Sequence, residues 1–145
     1  MAADLGGSVS AMSERAPQVP PSCDLTLGMV CVDKSQPGRS VWRATAHEKL
    51  ANPSGVVQGG FLAAYCDSAM GAAVVTFAAG RKVRLASTEL TISFFRPVPA
   101  GTVLTCEAVV VSGGVRVAFA EATLTSEGAG VVARASSTYL LSGRD

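Results

Sequence analysis

The longest apolar stretch of the chain covers residues 59–79, 21 positions carrying a single charge, Asp67. Its apolar residues fall nearly all round a helical projection, so it predicts a helix buried on most sides. Gly80 supplies a C-terminal stop, and Arg81 and Lys82 just beyond it suit the negative end of the helix dipole. Downstream the period changes to two. Thr88, Leu90, Ile92 and Phe94 share one face by alternation. Two prolines in residues 96–101 make that segment a turn. Strands are expected at 102–111, 115–125 and 131–141. The short glycine-containing links 112–114 and 127–130 make them antiparallel hairpins. Upstream, residues 25–32 and 39–46 read as two short strands around the turn-rich 34–38, and 47–55 reads as a polar loop. One long helix with five or six antiparallel strands predicts an α+β fold, the sheet wrapped around the central helix.

Composition narrows the class. The chain has 145 residues, 48% hydrophobic and only 16% charged, which excludes a disordered chain and fits one folded domain. A domain of this size usually carries about a quarter charged residues, so the shortfall suggests a subunit interface. A net charge of +1 argues against a nucleic-acid partner. Residues 1–22, rich in Ala, Gly, Ser and Pro and without a basic, apolar signal pattern, read as a flexible leader before a domain over 23–145. The helix is long enough to span a bilayer. Its Gly/Ala-rich make-up, the central Asp67 and the flanking sheet pattern favour a buried helix, and no membrane partner is expected. Cys23, Cys31, Cys66 and Cys106 show no C-x-x-C spacing and His47 is the sole histidine, so no metal site is expected. Cys66 and Cys106, inside apolar runs, read as small buried hydrophobes, and a reducing cytoplasm is the expected compartment.

Two places could carry chemistry. Asp67 is a lone carboxylate in a buried helix, and burying one unpaired costs several kcal/mol. It either pairs with a Ser or Thr of a neighbouring strand or serves as a base, a role that desolvation favours. The second place is the helix start. Gln58-Gly59-Gly60 offers first-turn N–H groups with no side chain in the way, a cradle for a carbonyl oxygen becoming negative or for a phosphate. The glycine pair can equally serve tight packing against a strand. Gln58 and Asp67 lie nine residues apart, ~13 Å along one helix, so one small reacting group cannot touch both within one chain. If both act on one substrate, a two-fold dimer with shared sites supplies the second.

The stretch from Asn52 through Gly55, Gln58-Gly59-Gly60 and Asp67 to Gly71, with the later Phe94-Phe95-Arg96-Pro97, resembles the hotdog-fold acyl-CoA thioesterases. The likeness is to their phenylacetic-acid-degradation (PaaI) type, related to the 4-hydroxybenzoyl-CoA thioesterases. It extends over roughly residues 25–141. The resemblance implies that Asp67 is the nucleophile or general base, that the Gly59 N–H polarises the thioester carbonyl, and that the Asn52 side chain assists. Gly60 would contact substrate, and Phe61 and Tyr65, near the helix start, either line the acyl pocket or pack in the core. Ser87 or Thr88 would supply a hydroxyl that orients water or the carboxylate. The family's histidine is Gln58 here, which hydrogen-bonds but does not titrate near neutral pH. His47 reads as a loop residue and does not fit the hydratase pattern of the same fold. Arg81, Lys82, Arg84, Arg96 and Arg116 are candidates for the CoA phosphates, each set against the favoured reading of a solvated surface cation. The expected protein is a homo-oligomer, a dimer or dimer of dimers, hydrolysing an acyl-CoA without a cofactor. The alternatives are a non-catalytic acyl-CoA or apolar-ligand binding module, which Gln58 favours, and a purely structural oligomer.

Overall fold

A computed structural model describes residues 19–143. A short helix, α1 (Ser22–Leu27), leads into strands β1 (Val30–Asp33) and β2 (Arg39–Thr45). A 3-10 turn at Glu48–Leu50 precedes the long helix α2 (Gly59–Phe77), and four strands follow: β3 (Val83–Phe94), β4 (Val103–Gly113), β5 (Val117–Ser126) and β6 (Gly130–Gly143). They form one sheet in the order β1-β2-β4-β5-β6-β3, antiparallel throughout. The expected α+β architecture, six strands around one helix, is the observed one.

Core formation follows from the two periodicities. On α2 the positions Leu62, Tyr65, Cys66, Ala69, Met70, Ala73 and Val74 are buried, a stripe at helical spacing. On β6 the alternate positions Ala133, Ala135, Ser137, Tyr139 and Leu141 are buried beneath the helix. The small residues of β6 and β5 let the helix lie close to the sheet. Ser40 ties the layers together. Its hydroxyl donates to the Ala69 carbonyl at 2.6 Å and accepts from Trp42 Nε1 at 3.0 Å, all of it buried. The opposite face of α2 is less covered than its composition predicts. Ala63, Ala64, Asp67, Ser68 and Gly71 are only half-buried, and Gly60 and Val75 are exposed.

Two local expectations need correction. Residues 25–32 are not one strand. Residues 25–27 end α1, Gly28 stops it at φ 69° with its N–H on the Leu25 carbonyl, and β1 begins only at Val30. A left-handed residue cannot continue a strand, and glycine adopts that conformation without penalty. The strand read from Thr88 is the second half of β3, which starts at Val83. Its register with β6 shifts between Ser87 and Glu89, so the half-buried face moves from Val83 and Leu85 to Leu90 and Ile92. Residues 1–18 of the expected leader lie outside the described residues.

Candidate active site

The approach to α2 is fixed by the loop before it. Asn52 Oδ1 accepts from the Ser54 N–H at 2.9 Å and the Val56 N–H at 3.3 Å, closing a tight turn with Gly55 at φ 77°. The Val57 N–H donates to the Val98 carbonyl at 2.8 Å and the Gln58 N–H to the Leu50 carbonyl at 2.9 Å. The helix start is thus clamped between the 3-10 turn and the proline turn. Asn52 spends its carbonyl oxygen on the loop, which leaves only its amide N–H groups to offer a substrate.

Gln58 is the N-cap residue, exposed, with no side-chain cap bond. The N–H groups of Gly59 and Gly60 have no acceptor among the described residues. The two glycines differ. A Cβ on Gly59 would stand 2.9 Å from the ring of Phe94, so this glycine serves close packing against β3. A Cβ on Gly60 would meet nothing within 4 Å, so no packing within the chain requires its bareness. Beside this start lies an open concavity of about 410 Å³ lined by Val57, Gly59, Leu62, Phe94, Phe95, Arg96, Pro97 and Val98.

Asp67 sits half-buried two turns further along α2. Its partner is neither Ser nor Thr but Tyr139 of β6, whose hydroxyl lies 2.7 Å from Oδ1 and 3.1 Å from the Asp67 carbonyl oxygen. Oδ2 has no hydrogen-bond partner among the described residues. Tyr139 is buried, and burial first, then the adjacent carboxylate, push its phenol well above the ordinary tyrosine range. Ser87 is the cross-strand partner of Tyr139 and projects to the same face of the sheet, exposed at the edge strand. Thr88 occupies the register shift and turns its hydroxyl to the Thr138 carbonyl at 3.3 Å. Of the two hydroxyls expected there, Ser87 is the one on the face of Asp67.

The remaining candidates divide. Tyr65 is a core residue, 1% exposed, its hydroxyl on the Leu27 carbonyl at 3.1 Å, and Phe61 packs half-buried against the core. His47 caps the 3-10 turn, its Nδ1 accepting from the Lys49 N–H at 2.9 Å. Arg96 lines the concavity beside Gly59, whereas Arg81, Lys82 and Arg116 line another of about 530 Å³ past the far end of α2. Arg84 lies on β3. Cys66 and Cys106 are buried as expected, and the Cys66 thiol together with burial pushes the Cys106 thiol upward. No group of three or more His, Cys, Asp or Glu among the described residues could hold a metal ion.

Within one chain, Gly59 and Asp67 are eight positions apart on one helix, ~12 Å along its axis, so the fold does not bring them together. A single antiparallel sheet wrapped on one long helix is the hotdog architecture. Residues 54–133 match the sequence profile of the Thioesterase superfamily, more than half of the chain, and the protein belongs to that superfamily. No curated protein sequence matches it. Among solved structures, the TT0310 protein from Thermus thermophilus is 29% identical with a TM-score of 0.72, covering 81% of this chain and 94% of its own. The E. coli PaaI protein from the phenylacetic acid degradation operon is 22% identical with a TM-score of 0.78, covering 95% and 93%. A hypothetical thioesterase from Streptococcus pneumoniae, solved with coenzyme A, is 18% identical with a TM-score of 0.76, covering 84% and 93%. Tyr139 lies beyond the matched segment. In the sequence it reads as one more apolar position of an alternating strand.

Proposed function

We propose that this thioesterase hydrolyses an acyl-CoA, releasing CoA thiol and a carboxylic acid, at a site shared between two copies of the chain. The observation that carries the reading is the pair of unmet groups on α2, the Gly59 and Gly60 amides at its start and Asp67 Oδ2 further along. The amides, with the Asn52 N–H groups, stabilise the oxyanion that forms when the thioester carbonyl is attacked. Asp67 of the other copy either takes a proton from the attacking water or attacks the carbonyl carbon itself, giving an anhydride that water opens. In both routes the C–S bond breaks and the thiolate leaves, so no metal or redox cofactor is required. Gln58 orients the carbonyl or the Asn52 amide and moves no proton. Phe94, Phe95 and Leu62 offer an apolar wall to the acyl chain, and Arg96 a cation to the CoA phosphates. Four free thiols suit a reducing cytoplasm.

A panel of acyl-CoA esters with a thiol-trapping dye tests this. Turnover that disappears in Asp67→Ala supports it, and turnover that survives the substitution rejects this site. Gln58 in the family's histidine position favours a second reading, a binding module without chemistry. That reading gains if no ester is hydrolysed while CoA esters raise the melting temperature.

A further inference from the structure

β6 presents small residues to the helix at Ala133, Ala135 and Ser137, and then a full phenol at Tyr139. The residue is 3% exposed, and its hydroxyl reaches two atoms of Asp67, Oδ1 and the carbonyl oxygen. A hydroxyl has one proton to give, and the 2.7 Å contact to Oδ1 takes it. We propose that Tyr139 is a positioning residue that holds the Asp67 carboxylate by Oδ1 so that Oδ2 is the oxygen presented to the reacting group. This deepens the hydrolase reading and rests on it. An aspartate alone on a helix surface samples several rotamers, and an attack or proton transfer needs one of them. The phenol removes that freedom without touching the substrate side. Because burial and the neighbouring carboxylate keep Tyr139 protonated, it remains a donor throughout the neutral range.

Tyr139→Phe keeps the ring and deletes only the hydroxyl. Losing one hydrogen bond to a charged group lowers kcat about tenfold, with KM changed by no more than about twofold. In an Asp67→Asn background the same substitution has no further effect on kcat, because the two residues act as one unit. If wild type turns over and Tyr139→Phe loses melting temperature but keeps kcat at a temperature well below unfolding, Tyr139 is a structural anchor. The proposal is then overturned while hydrolysis stands. If wild type hydrolyses no ester, the hydrolase reading fails, and the crystal structure of Tyr139→Phe decides the positioning. A carboxylate turned to another rotamer supports it, and one left in place overturns it.

Discussion

Gly59 and Gly60 are neighbours in sequence with different reasons for lacking a side chain, and substitution separates them. Gly59→Ala must displace the tip of the half-exposed Phe94 ring, which offsets the gain in helix propensity, so it is less stable than Gly60→Ala by up to about 1 kcal/mol. Gly60→Ala has open space and a better helix former, so thermal unfolding shows equal or higher stability. Any fall in kcat/KM there reports on an incoming ligand or a second chain. At Asp67, the asparagine variant keeps the shape and loses the base, and turnover falls about 10²- to 10⁴-fold at an unchanged melting temperature. Alkaline pH reads the buried hydroxyls and thiol. Tyr139, Tyr65 and Cys106 are all raised above their ordinary values by burial, Tyr139 also by Asp67 and Cys106 foremost by Cys66. A raised group contributes stability in full below its unfolded pKa and loses it as the pH climbs toward its folded one. The melting temperature therefore holds to about pH 9, the ordinary thiol value, and falls above it, less steeply in Tyr139→Phe. Asp67 was legible in the sequence because a lone charge in an apolar helix demands a reason. Tyr139 was not, because its link to Asp67 spans 72 positions and depends on a register that no local pattern encodes.

At the scale of elements, legibility followed sequence distance. The β4-β5-β6 hairpins and α2 announce themselves through periodicity and glycine links, and their bounds fall within about three residues of those expected. The failures were non-local or conformational. Gly28 breaks residues 25–32 into a helix end and a strand start, a backbone event that apolar content does not betray. The shift at Thr88 splits β3 into two phases, so only the half in phase with Leu90 was read. Placing β3 beside β6 carries the chain from β2, one strand in from an edge, across α2 to the opposite edge of the sheet. The helix is held to the sheet by few polar ties, and Ser40 is the most buried of them. Ser40→Ala leaves the buried Trp42 Nε1 without its acceptor and costs about 1–3 kcal/mol, measurable by urea unfolding at an unchanged m-value.

For the whole molecule, the decisive fact is that the two chemical features of α2 lie eight positions apart on one continuous helix, ~12 Å along its axis. The proposed site, which needs both features on one substrate, therefore takes one of them from a second copy of the chain. The least covered face of α2, with Gly60, Ala64, Asp67 and Gly71, is where a second copy would supply the missing half. Mixed subunits test this without knowledge of the interface. Asp67→Ala removes the carboxylate, and Gly60→Phe fills the open space at the helix start, where an added Cβ meets no atom of its own chain within 4 Å. Each variant alone is inactive. Coexpressed at equal amounts with different tags, half of the dimers are mixed, and each mixed dimer has one site with both features intact, so activity recovers to about a quarter of wild type. Recovery in the purified mixed species requires carboxylate and amides from different chains. If both features served a site within one chain, every site in the mixed dimer would carry a defect and activity would stay at zero.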